Sequence, residues 1–335
     1  MRSSSSFCGS ERLVLPEERL AGTRATVLLL AVVAVCCLAV FMTVGANGQW
    51  DFVLPFRARK AATMALVGFA VAVSTVLFQT ITQNRILTPA IMGFDSFYVL
   101  LHTVLLFMLG SSTLAKVDPR LLFVLHVGLM LAFTAVLRRW FFSGTRHHLE
   151  LLGLAGIVVG ILFRNASAFL QRLIDPNEFV FLQDRFFATF NNPDQGLLLV
   201  SGVVTLGVSL YGVRLLPACD ALVLGREAAI SVGVSHDRVV ARVLMLVTLL
   251  VSISTALVGP VTFFGLLVAN LAYVMLRTYR HALLLPGVAL LAVSLLLIGQ
   301  VILERVLGFD ASLRVVIEFF GGVAFIVLML KGAKT

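Results

Sequence analysis

The stretch ALVGFAVAVSTVLFQT (65–80) carries no charge, and MLVTLLVSISTALVGP (245–260) aligns on it without a gap. Leu66/Leu246, Val67/Val247, Val71/Val251, Ser74/Ser254, Thr75/Thr255 and Leu77/Leu257 are identical. Unbroken apolar runs of this kind belong to helices that cross a bilayer, which need about 20 such residues. The strands of a membrane barrel would instead alternate over about ten residues.

Outward from this pair, similar runs fill the chain. Ten spans are expected, at roughly 25–44, 61–82, 92–111, 119–139, 149–168, 194–214, 237–257, 261–278, 282–302 and 316–332. The eighth is short and starts at Gly259-Pro260, which suits a half-helix or a kinked one. The 335 residues are 59% hydrophobic and 13% charged, with a mean hydropathy of +1.02. A soluble domain is nearer half apolar and a quarter charged. The fold class is therefore an all-α polytopic membrane protein. Residues 1–24 read as a polar N-terminal tail, expected to be cytoplasmic, and 25–335 as a single ten-helix transmembrane domain.

Charge sets the orientation. Arg138, Arg139, Arg146, His147, His148, Arg277, Arg280, His281, Lys331 and Lys334 fall on one side. On the other side Asp175, Glu178, Asp184 and Asp194 offset Arg164, Arg172 and Arg185. By the positive-inside rule the first side, with both termini, is expected to be cytoplasmic. Topology thus accounts for most of the net charge of +9, and no nucleic-acid partner is needed. Under this assignment 65–80 runs inward and 245–260 outward, the pattern of an inverted-topology repeat. Arg57, Arg59 and Lys60 break the rule by falling outside. They are read either as snorkelling side chains or as a docking patch for an acidic partner.

The stretch LGREAAISVGV (224–234) stands apart: Arg226 and Glu227 lie between Gly225 and Gly233 in an otherwise apolar region. A short cytoplasmic helix is expected there, within about 220–236. FVFLQDRFFATFNN (179–192), in an outer loop, reads as an amphipathic helix at the interface. Gly153, Gly156 and Gly160 make a small-residue face for close helix packing. His102 and His126 are single intramembrane histidines, read as buried imidazoles bonded to neighbouring helices or as ligands. Gln79 and Gln300 are read as bridges between helices. Cys8, Cys36, Cys37 and Cys219 form no CxxC pair, so neither a disulfide frame nor a metal site is expected.

The sequence has no GxxxxGK[ST], HExxH or GxSxG, which argues against a built-in ATPase, a zincin or a serine hydrolase. No catalytic residues are expected. Acidic residues are scarce in the spans, and Glu304 and Glu318 lie close to a helix end, so an ion-coupling site is poorly supported. Energy is expected to arrive through a cytoplasmic contact.

Three blocks resemble the FecCD family, the membrane permeases of ABC importers for ferric siderophores, haem and cobalamin. R-A-R-K-A-A-T-M-A-L-V-G (57–68) is similar to the family's RxPR, with Arg57 and Lys60 on the basic positions and no proline between them. Q-T-I-T-Q-N-R-I-L-T-P-A-I-M-G (79–93) keeps Gln79, Asn84, Pro89 and Gly93, but Arg85 replaces the usual proline. LGREAAISVGV is followed by GPVTFFGLLVANLA (259–272), with Ala269 and Asn270 for Pro-His and Tyr273 for the usual arginine. These departures, with EFFGG (318–322), look like the branch serving catecholate-type ferric siderophores.

The resemblance implies a type II ABC importer permease fold with an inverted repeat, in the inner (plasma) membrane of a bacterium. It implies two ATP-binding subunits, a second permease, and a periplasmic or lipoprotein siderophore-binding protein. ATP and Mg would sit on the ATPase, with no cofactor on this chain. Leu224, Gly225, Arg226, Glu227, Ala228 and Gly233 would couple to the ATPase, with Ala228 and Ala229 allowing close approach. Arg57, Lys60 and Arg305 would dock the binding protein. Gln79, Asn84, Pro89, Gly93, Gly259, Pro260 and Asn270 would line the path or its gate. The alternatives are an ion-coupled carrier for an organic solute, or a permease for haem or cobalamin.

Overall fold

A computed structural model describes residues 16–44, 50–142, 149–186, 190, 194–306 and 313–332. These form thirteen helices and no strand. Ten of them answer the ten expected spans: α1 (Pro16–Thr43), α2 (Trp50–Thr82), α3 (Phe94–Leu114), α4 (Pro119–Phe142), α5 (Leu149–Gln171), α7 (Gln195–Val213), α10 (His236–Val258), α11 (Phe264–Leu276), α12 (His281–Arg305) and α13 (Leu313–Gly332). The other three are short: α6 (Pro176–Phe186), α8 (Leu216–Leu222) and α9 (Arg226–Ser231).

Among the described residues, seven helices are long and apolar enough to cross a membrane, and Phe94–Leu109 and Phe264–Leu276 are shorter apolar helices. The two short ones have corresponding places. α3 follows α2 after the non-helical segment 83–93, and α11 follows α10 after 259–263. Each expected repeat is thus a long helix, an irregular link and a shorter helix. α2 and α10 are the central pair: 72% of the most apolar window of each is buried, against 17% for α1 and α7. The exposed faces of α1 and α7, including Leu28, Val35, Leu199, Val203 and Leu210, have the apolar character a lipid-facing surface needs.

Two helix starts lie earlier than expected. α1 begins at Pro16, inside the segment read as a tail. Proline suits a first helical position because its missing N–H has no intrahelical partner. α2 begins at Trp50 rather than near 61. Its charged first turns hid it, and the partners of Arg57 and Lys60 lie on other helices.

The small-residue face of α5 is used as expected. A Cβ added at Gly156 would meet the Met92 side chain at 2.8 Å, and one at Gly160 would meet the Gly93 Cα at 2.8 Å. Gly93 itself has φ 97°, so this residue is required both by backbone conformation and by contact. α3 breaks at Gly110, φ 74°. The freed Ser111 amide and its hydroxyl both donate to Glu178 Oε1 of α6, each at 3.2 Å. A helix, α6, stands where one was expected, although most of 187–193 lies outside the described residues. Cys36, Cys37 and Cys219 are free thiols, and Cys8 lies outside the described residues.

Candidate functional site

The antiparallel pair α2 and α12 carries a polar cluster at each end. At one end Lys60 Nζ and Glu304 Oε1 are 2.7 Å apart, with side chains only 3% and 12% exposed. Gln300 Nε2 donates to the same carboxylate oxygen at 2.9 Å. A buried charge is tolerated only when paired and hydrogen-bonded, and this pair meets that demand. Lys60 thus faces inward, which corrects its expected place in a docking patch. Arg57 Nη1 donates to the carbonyls of Phe41 and Val44, each at 2.7 Å, and Arg305 Nη2 donates to Val44 O at 2.6 Å. Both arginines therefore satisfy carbonyls at the C-terminal end of α1, where cations are favoured. Arg59 is exposed and bonds only weakly back to Pro55 O, at 3.4 Å. Gln300, read as a bridge between helices, bonds within its own helix and supports the Lys60 pair.

At the other end, His281 begins α12. Its backbone N–H and Nδ1 lie 2.9 and 2.6 Å from Asp220 Oδ1 on α8. Its Nε2 lies 2.8 Å from Thr80 Oγ1 on α2. Gln83, just past α2, adds a second tie by donating from Nε2 to Leu222 O at 3.0 Å. Burial, with Asp220 adding to it, pushes the neighbouring Cys219 thiol up to about 12, so this cysteine stays a thiol.

α9 follows directly. Gly225 has φ 100° and Gly233 φ 86°, conformations that favour glycine over any residue with a Cβ. Gly233 N bonds Ile230 O at 2.9 Å and Val234 N bonds Ala229 O at 3.0 Å, the paired bonds of a Schellman stop. Ala229 is fully buried. It therefore seats α9 on its own chain, which corrects the expectation that it faces a partner. Leu224, Ile230 and Val232 are 69%, 50% and 71% exposed, and Arg226 and Glu227 are exposed beside them. Ile230 and Val232 escaped the sequence reading, which weighed the charges and glycines.

Of the residues expected in the path, Asn84, Pro89, Gly93, Gly259 and Pro260 lie in the two irregular links. Thr88, Pro89 and Ala90 from one link and Val261 and Thr262 from the other line a small cavity. Ser74 and Thr75 of α2 and Ser254 and Thr255 of α10 line it too. The aligned Ser-Thr pairs of the two repeats thus meet at one place. Gly265 is pressed against the Thr75 hydroxyl. Gly259, φ 95°, ends α10 before Pro260. Asn84 Oδ1 accepts from Ile86 N at 2.9 Å and sets the turn after α2. Gln79 Nε2 donates to Arg85 O at 2.5 Å, so Gln79 ties a helix to a link rather than to another helix. Asn270 donates to Leu266 O of its own helix at 2.8 Å and is not part of this cavity.

Asp95 was passed over in the sequence because it sits at the start of a short span. Its Oδ2 accepts from Thr262 Oγ1 at 2.8 Å and joins the two links. It also lines a cavity of about 340 Å³ with Arg164 and Glu318. Arg85, which stands where the family has proline, and Tyr273, which stands where it has arginine, are in contact: the guanidinium lies 4.8 Å from the ring centre. His102 Nδ1 lies 3.1 Å from Tyr98 O. The Tyr98 ring lies 4.7 Å from that of His126, whose two nitrogens meet no partner among the described residues. The described residues contain no cluster of three or more metal-ligating side chains.

The sequence model of the FecCD transport family matches residues 23–331. The petrobactin import system permease protein YclO of Bacillus subtilis is 44% identical over 307 residues, covering 92% of this chain and 97% of that one. The petrobactin import system permease protein FatC of Bacillus anthracis is 33% identical over 285 residues, covering 84% and 80%. Among solved structures, a metal-chelate type ABC transporter in an inward-facing conformation superposes with a TM-score of 0.81 at 21% identity. It covers 92% of this chain and 99% of that one, and shows the same fold.

Proposed function

Because the chain belongs to the FecCD transport family, we propose that it is the permease subunit of an ATP-binding cassette importer that carries a ferric siderophore into a bacterial cytoplasm. The observation that carries this reading is the 44% identity to a petrobactin import permease over 97% of that protein's length. The iron is cargo, enclosed in its chelate, so the permease needs no metal ligands of its own.

The permease works beside a second permease, and the chelate passes between the two. Two ATP-binding subunits hold the ATP and Mg below, and a siderophore-binding protein docks above. Both termini and α9 lie on the cytoplasmic side, as the distribution of basic loop residues favours. α9 sits in a groove of an ATP-binding subunit: Leu224, Ile230 and Val232 fill it, and Arg226 and Glu227 meet its rim. A six-residue helix seated by Ala229 and held between two glycine turns moves as a unit. Closure of the ATPase therefore reaches α8, and from Asp220 and Leu222 it reaches α12 and α2. The irregular links 83–93 and 259–263 are where such a shift opens or closes the path, because only isolated turn bonds such as Met92 N to Thr88 O, rather than a continuous helical ladder, hold them. On the outer side Arg59, with Arg57 and Arg305 at its edges, steers the acidic surface of the binding protein. Such contacts govern encounter rate and register more than affinity.

Radioiron uptake tests the reading in cells that express the chain with its partner subunits. Uptake of a ferric siderophore should require the ATP-binding subunit and stop when its nucleotide site is inactivated. Uptake that continues without that subunit would refute the assignment.

A further inference from the structure

A cavity of about 510 Å³ opens between the end of α2, the α8–α9 link and the α11–α12 turn. This volume lies in the range of small-molecule sites, about 300–1,000 Å³. Arg85 reaches into it between two aromatic rings, 4.8 Å from the centre of Tyr273 and 5.3 Å from that of Tyr279. Both distances fall inside the roughly 6 Å over which a cation and a ring attract. Arg85 Nη2 also donates to the Tyr279 hydroxyl at 2.9 Å, and Gln79 pins the Arg85 backbone from behind. No carboxylate lines this cavity among the described residues. His281 lines the cavity and holds Asp220 behind it, with Nδ1 2.6 Å from Asp220 Oδ1.

We infer that Arg85, Tyr273 and Tyr279 form a binding site for an anionic, aryl-bearing ligand at the cytoplasmic mouth of the path, and that the ligand is the ferric chelate on its way out. This rests on the importer reading above. The chemistry is specific. A guanidinium presents up to five donors in a plane, and one of them is used on Tyr279. The rest, with two phenol rings, match a ligand that offers negatively charged oxygens on aromatic rings. A neutral chelate of equal size finds only the rings. A surface arginine that merely latched two tyrosines would show no such preference for charge.

The test uses the assembled importer in lipid nanodiscs without its binding protein, with equilibrium dialysis against radioiron-labelled chelates. The probes are the anionic ferric tris-catecholate of dihydroxybenzoate and a neutral ferric trihydroxamate. The wild-type complex should retain the anionic chelate about tenfold better, the scale of one charge-assisted contact. Arg85→Gln should erase the preference, Arg85→Lys should keep part of it, and added salt should weaken it in the wild type. A preference that survives Arg85→Gln, or none in the wild type, would overturn the site. Radioiron uptake by the same wild-type complex, with its binding protein restored, is the separate control. Its failure would count against the importer reading, whereas normal uptake with an unchanged Arg85→Gln preference counts against this site alone.

Discussion

The two ends of the α2–α12 pair make the most instructive contrast in the molecule. Lys60 and Thr80 are twenty residues apart on α2, about 30 Å of helix, which is close to the thickness of the hydrocarbon layer. Both ends carry polar side chains that bridge the same two helices. At the Lys60 end the bridge stays between these two helices: Lys60 and Gln300 both bond Glu304. At the Thr80 end it leads onward, from Thr80 through His281 to Asp220, and so to α8 and the exposed α9. A closed cluster can hold two helices in register. An open one can also carry a displacement. The contrast predicts that damage at the first end is felt mainly as lost stability, and damage at the second mainly as lost coupling.

The largest effect is expected at the closed end. Glu304→Ala takes from the buried Lys60 its carboxylate partner, and breaking a buried pair by removing one partner costs about 3–5 kcal/mol. Thermal unfolding of the purified complex should show a steep loss of stability. The double variant Lys60→Met with Glu304→Met should recover most of it, because both buried charges are removed together. A double variant as unstable as the single one would show that the charges themselves, rather than their pairing, hold this end together.

At the open end Asp220→Ala removes two hydrogen bonds to His281, and each bond to a charged group is worth about 1.5–3 kcal/mol. The expected signature is a split. The complex still assembles and hydrolyses ATP, but less chelate enters for each ATP consumed. Equal falls in hydrolysis and uptake would place Asp220 among the residues that only support the fold, and the contrast between the two ends would fail. Gly233→Val probes the same route one step further out. It forces a β-branched residue into φ 86°, at about 1–3 kcal/mol. Uptake should fall while insertion into the membrane continues, and undiminished uptake would mean that the turn can be rebuilt without consequence.

The sequence made one of these ends far easier to read than the other. LGREAAISVGV declares itself by two glycines and a charge pair within eleven residues, and the structure gives a reason for each glycine. The repeat was legible because Ser74-Thr75 and Ser254-Thr255 occupy matching places in gapless segments, and they line one cavity. The partner of Lys60 was not legible. Glu304 lies 244 positions away, and no local pattern links an acid near the end of one helix to a base near the start of another. His281 counted only as a loop charge for topology, since its role depends on Asp220 and Thr80 meeting it from two other helices. Arg85 and Tyr273 were visible as departures from a motif, but only their contact shows that the two belong together.

The smallest expected effect separates Lys60 from its neighbour. Arg59 is exposed and Lys60 is 2% exposed, although the two are adjacent in sequence. If the outer surface steers a binding protein, Arg59→Glu should slow its capture severalfold at low salt. The difference should shrink toward none as ionic strength shortens the Debye length below about 8 Å. Stability should barely change, since exposed charges contribute about 0–1 kcal/mol. Lys60→Glu should do the reverse: it sets two acids against each other inside the protein, so the complex loses stability before docking can be measured. Stopped-flow association with the Arg59 variant and thermal unfolding of both variants decide the matter. A salt-independent loss of capture in Arg59→Glu would mean that the outer surface recognises its partner by shape rather than by charge.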